Sequence, residues 1–111
     1  MIDFASLCTI NVESMPYMFE SCTTEDLDLQ SLQTSCVNDM SHMFRNFKGK
    51  ALNLSSFSTS NVRNMSNMFN QCNVNKINLS SFVISEVENF SYMFFCCQTS
   101  FIELSSMKPN R

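Results

Sequence analysis

The sequence predicts an α/β solenoid of about 4.5 coils, with one parallel sheet of short strands and short helical turns. Three observations predict it. Apolar–x–apolar triplets begin at Ile2, Leu27, Leu52, Ile77 and Ile102, a constant step of 25 residues without insertion or deletion. Eight positions of the unit stay apolar in all four complete units, although only 44% of the residues are apolar. The hydrophobic period also changes inside each unit from two to about 3.6. The units are 2–26, 27–51, 52–76 and 77–101, with a partial unit 102–111, so residues 1–111 read as a single repeat domain.

Each unit opens on a strand. Leu52-Asn53-Leu54 alternates apolar and polar, as a half-buried strand does. A helical turn is expected further on. Val62, Met65, Met68, Phe69 and Cys72 are spaced 3, 3, 1 and 3 apart, which puts them on one face of a helix. Ser60 or Asn61 precedes them as an N-cap, with Ser35 and Ser85 at the position equivalent to Ser60. The expected helical segments are Val12–Cys22, Val37–Phe47, Val62–Cys72 and Val87–Cys97. Strands of successive coils would pair in parallel, about 4.8 Å apart. The eight apolar columns, including Met68 and Phe69, would form the core.

Composition narrows the function. A net charge of −3 and a pI near 4.9 argue against duplex nucleic acid and against anionic membrane surfaces. No apolar run approaches the roughly 18 residues that cross a bilayer, so membrane insertion by this segment is not expected. Asp3 follows the first residue almost at once and no basic region leads into an apolar one, so no signal peptide is expected. The repeat already begins at Ile2, as in a short array or a piece of a longer one. With one Gly and two Pro, the turns must rest on Asn, Asp and Ser.

The run Leu54–Cys72, LSSFSTSNVRNMSNMFNQC, closely resembles the repeats of the BspA-like leucine-rich-repeat surface proteins, whose unit has the form LDLSSFDTSNVxNMSxMFxxC. The resemblance spans essentially the whole chain. It implies a leucine-rich-repeat-like solenoid in a surface protein, cell-surface or extracellular in location, with adhesive or protein-binding roles. The chain departs from the pattern at Pro16 and Tyr17, at Cys36 and Phe47, and at Val83, Ile84 and Glu86.

Candidate chemistry is sparse. Cys22, Cys72 and Cys97 share one inward column and read as small hydrophobes, with a Cys72–Cys97 bridge sterically open; Cys8, Cys36 and Cys96 lie off it. No C-x-x-C pair suggests a metal, and no metal or other cofactor is expected. His42, the only histidine, falls in a column with Tyr17, Asn67 and Tyr92 that reads as exposed and helical. Neither a phosphate-cradling loop nor a nucleophile motif occurs, so no catalytic residue is expected and the chain reads as no enzyme.

The candidate partner-binding residues are Asp3, Asp28, Asn53, Asn78 and Glu103, the polar residue between the two strand apolars of each unit. Stacked on an outer strand face, they would offer a cationic or hydrogen-bonding protein partner a regular column. The leading functional expectation is a protein-binding or adhesion module, and the alternative is a structural spacer within a larger surface protein. A further reading takes Thr9, Thr34 and Thr59 as a hydroxyl array for ice or carbohydrate, interrupted by Ile84. The last unit carries Ile102, Leu104 and Met107 but then Lys108 and Pro109, so it supplies a strand without a helical half. Uncovered ends predict end-to-end self-association or dependence on further repeats of a parent protein.

Overall fold

Positive backbone φ angles recur at every fourth residue of the segments expected to be helical, and no right-handed helix can contain them. They fall in two columns: Tyr17, His42, Asn67 and Tyr92, then Ser21, Asn46, Gln71 and Cys96, all between 55° and 62°. The computed structural model describes residues 11–25 and 27–104. Among them there is no helix. The expected α/β solenoid with helical turns is therefore corrected: the chain builds short parallel strands joined by tandem β-turns, and measures 36 × 33 × 22 Å.

Among the described residues five strands occur: β1 (Thr23–Thr24), β2 (Lys48–Gly49), β3 (Ala51–Asn53), β4 (Lys76–Leu79) and β5 (Phe101–Leu104). They form two small sheets rather than the single one expected, β1–β2 and β3–β4–β5, both parallel. The register is one repeat throughout, with Leu52 opposite Ile77 and Ile77 opposite Ile102. The strand expected at Leu27 shrinks to a single β-bridge, and that at Ile2 lies outside the described residues. Isolated bridges carry the same step through Ser14, Asp39, Asn64 and Asn89, and through Lys48, Asn73 and Gln98.

The third repeat shows why turns replace the helix. The amides of Met68 and Cys72 donate to the carbonyls of Met65 and Phe69, each closing a four-residue turn whose third residue, Asn67 or Gln71, is left-handed. That is the type II arrangement. The amides a helix would direct to its own chain go instead to the next repeat. Met65, Asn67, Phe69 and Gln71 donate to Asn89, Ser91, Met93 and Phe95 at 2.8–2.9 Å. Met40, His42, Phe44 and Asn46 donate in the same way to Asn64, Ser66, Met68 and Asn70. Alternate residues thus serve the turn and the ladder between repeats, and all eight backbone donors of the two rows are paired.

Asparagine sets where these turns begin. The Asn53 side-chain oxygen accepts the Ser55 amide and Asn64 that of Ser66; Asn78 and Asn89 act alike on Ser80 and Ser91. These are Asx turns, and each leads into a β-turn. In the second repeat Asp28 and Asp39 do the same for Gln30 and Ser41. The first repeat has Ser14 and Pro16 at the positions of Asn64 and Ser66, so acceptor and donor are replaced together.

The ends of the turns point inwards. Leu54 and Phe57, Met65 and Met68, and Phe69 and Cys72 are first and fourth residues of turns, and all are buried. The phenylalanine column is a continuous stack: Phe19, Phe44, Phe69 and Phe94 lie 5.4–5.7 Å apart between centroids and within 10° of parallel. Gly49 sits where a Cβ would come within 2.4 Å of the Thr24 carbonyl oxygen, a backbone atom that cannot swing aside.

Candidate interaction surface

The predicted partner column is brought together only in part. Asn53, Asn78 and Glu103 are register partners across β3, β4 and β5. Asp28 is exposed but stands outside the strands, and Asp3 lies outside the described residues. The side chains of Asp28, Asn53 and Asn78 already accept backbone amides of their own repeat. Glu103 forms an ion pair with Lys76 at 3.4 Å. The column therefore has a local job, which is to end each strand in a turn.

The threonine array is corrected. Thr34 and Thr59 are buried, at 2% and 1% exposure. The Thr34 hydroxyl donates to the Ser58 carbonyl and accepts the Ser58 amide, and Thr59 treats Val83 identically. These hydroxyls join repeats and present no lattice to solvent.

A second surface runs across the outer residues of the turns, where sequence reasoning expected a plain helical exterior. Two columns form it: Tyr17, His42, Asn67 and Tyr92, beside Glu20, Arg45, Asn70 and Phe95. His42 is half-buried rather than exposed, and its ring stacks on Tyr17 at 4.5 Å. Arg45 pairs with Glu20 at 2.9 Å. The Asn70 amide donates to the Asn67 side-chain oxygen at 2.8 Å, and Tyr92 meets the edge of Phe95. Tyr17, Tyr92 and Phe95 are each more than half exposed. Between them, His42 Nδ1 and Asn70 Oδ1 are buried without a hydrogen-bond partner. Buried polar atoms normally find one. The signal in the sequence was composition: two tyrosines, a histidine, an arginine and a phenylalanine in two outward columns resemble the aromatic and arginine content of binding sites more than the Asp/Asn column does.

The cysteine column holds free thiols. Cys72 is buried and Cys97 half-buried in the adjacent repeat. The hydrogen bond to Cys97 and then burial hold the Cys72 thiol protonated well above its ordinary range, and the same hydrogen bond draws Cys97 downwards. Cys36 and Cys96 are exposed.

One unit therefore generates the architecture, each repeat covering its neighbour through the same rows of amides and the same inward columns. That defines the class: a repeat protein of stacked β-turn and strand units. More particularly, the chain matches, over residues 3–107, the family described as Mycoplasma protein of unknown function, DUF285, and it belongs to that family. No curated protein and no solved structure matches it.

Proposed function

We propose that this chain is a non-catalytic binding module of a surface repeat protein, and that its partner is another protein held on the turn face. One observation carries the assignment to this face: exposed Tyr17, Tyr92 and Phe95 stand at the ends of the two columns that hold His42 and Asn70, whose Nδ1 and Oδ1 are buried without partners. Aromatic anchors around a desolvated polar centre are the composition of binding hot spots. Three inter-repeat steps separate Tyr17 from Tyr92, roughly 14 Å at strand spacing, so a partner would span all four repeats. The surface setting is supported by the likeness of Leu54–Cys72 to the BspA-like repeats.

The test is affinity capture from the native surroundings with the folded chain, followed by binding measurements on the protein captured. Substituting Tyr17, Tyr92 and Phe95 by serine should weaken binding at least about tenfold without altering the circular dichroism. The Asp28, Asn53 and Asn78 column is the second candidate face. Loss of binding on substituting that column alone would move the site there. Binding indifferent to both sets would leave the spacer reading in place.

A further inference from the structure

The row of amides that joins each repeat to the next is left open in the fourth. Phe90, Tyr92, Phe94 and Cys96 occupy the positions of Met65, Asn67, Phe69 and Gln71, but their amides meet no acceptor among the described residues. The inward columns open at the same edge. Met65 and Phe69 are 0% exposed, whereas Phe90 is 42% and Phe94 40% exposed. The strand half of this repeat is covered, because β5 pairs with β4 and Ile77 and Leu79 are fully buried. The open part is therefore the turn half alone: four N–H groups in a row beside two phenylalanines.

The interior of the molecule shows what fits such an edge. The rows beginning at Met40 and Met65 are each met by the turn half of the following repeat. It supplies carbonyls at every second residue, a methionine and a phenylalanine. The Phe69 ring lies on Phe44 at 5.7 Å, as Phe94 lies on Phe69 at 5.4 Å. Phe94 has its second face free to take another ring.

We propose that the Phe90–Cys96 edge is a docking site for the turn half of a like 25-residue repeat. The docked segment accepts the four amides through alternate carbonyls and lays its phenylalanine on Phe94. The edge shares Tyr92 and Phe95 with the turn face, but its apolar half is Phe94 of the inward stack, and Tyr17 lies at the opposite end of the repeats. An unpaired parallel edge of this kind selects a partner by main-chain hydrogen bonding and by pockets for alternate side chains.

The probe is a peptide of residues 61–73, with Cys72 replaced by serine so that no disulfide with Cys97 can form. In the folded protein this segment already accepts the amides of Met40, His42, Phe44 and Asn46. Amide exchange is followed residue by residue on the full chain. Saturating peptide should slow exchange at Phe90, Tyr92, Phe94 and Cys96 by at least about tenfold; a scrambled peptide should leave them unchanged. Phe94→Arg should abolish the effect. Phe94→Leu, which retains an apolar side chain without the ring, covers the case in which the arginine variant misfolds, and should weaken it several-fold. Tyr17→Ser should leave it intact, which separates this site from the turn face. Unchanged exchange at millimolar peptide, equal protection by the scrambled peptide, or protection at residues other than these four would overturn the proposal.

Discussion

The third and fourth repeats follow the same plan, yet two of the same columns meet opposite fates in them. Met65 and Phe69 are fully buried, while Phe90 and Phe94, one repeat later, are about two-fifths exposed; the methionine column stays buried in both, at Met68 and Met93. Nothing local distinguishes them, since both sets sit in the same turns with the same left-handed third residues. Burial here is conferred by the following repeat rather than by the side chain's own segment. The unit cannot bury its hydrophobic face alone, the general condition of repeat architectures.

The sharpest way to break the comparison is to truncate the same ring in both repeats. Phe69→Ala removes a ring stacked on both sides and should lower unfolding free energy by roughly 3–5 kcal/mol. That is enough to unfold a large part of the population in a domain of this size. Phe94→Ala removes a ring stacked on one side and should cost about 1 kcal/mol or somewhat more. Urea denaturation of the two variants compares them directly, and equal losses would show that the fourth repeat is as well covered as the third.

Gly49→Ala comes next. The added methyl group meets the Thr24 backbone oxygen and Phe47, so the second repeat must shift away from the first. A loss of about 1–3 kcal/mol is expected, read from the shift in the urea midpoint. A neutral outcome would mean that β1 and β2 separate at little cost.

A smaller effect should separate Asn64 from Asn89. Both side-chain oxygens accept the amide two residues on, but Asn64 is half-buried and Asn89 exposed. Asn64→Ala should cost about 1–2 kcal/mol and Asn89→Ala under about 1 kcal/mol, because water replaces the lost acceptor only at the exposed site. Thermal melts of the pair check the order.

Much of this plan was legible in the sequence, and the particular errors have one cause. The 25-residue step gave the register of β3, β4 and β5, since Leu52, Ile77 and Ile102 are simply the same position of the unit. The inward residues could be read as well, because apolar columns mark burial whatever the backbone does. The backbone itself was misread. Spacings of 3, 3, 1 and 3 from Val62 to Cys72 match one face of a helix, but they equally mark the ends of consecutive four-residue turns. Asn46 and Asn67 tolerate left-handed turns and disfavour helix, and the many serines and asparagines around them are weak helix formers. Tyr92 and Cys96 hide that signal, being held left-handed by the ladder below them and not by their own preference. The candidate site was harder to see. An alternating polar residue such as Asn53 looks free in a sequence, whereas its side chain is occupied by the Ser55 amide. The turn face depends on which outer residues fall side by side, and that follows from the turns.

Residue-level amide exchange on the chain alone tests the central claim most directly, because a helix and a turn ladder protect different atoms. If the later half of each repeat were helical, its amides would bond within the repeat, and Phe90–Cys96 would be protected about as well as Met65–Gln71. The ladder predicts that Met65, Asn67, Phe69 and Gln71 exchange slowly. Phe90, Tyr92, Phe94 and Cys96 should exchange fast, while Met93, Phe95 and Cys97, whose amides close turns inside the fourth repeat, should be slower than those four. Uniform protection along both segments would contradict the account.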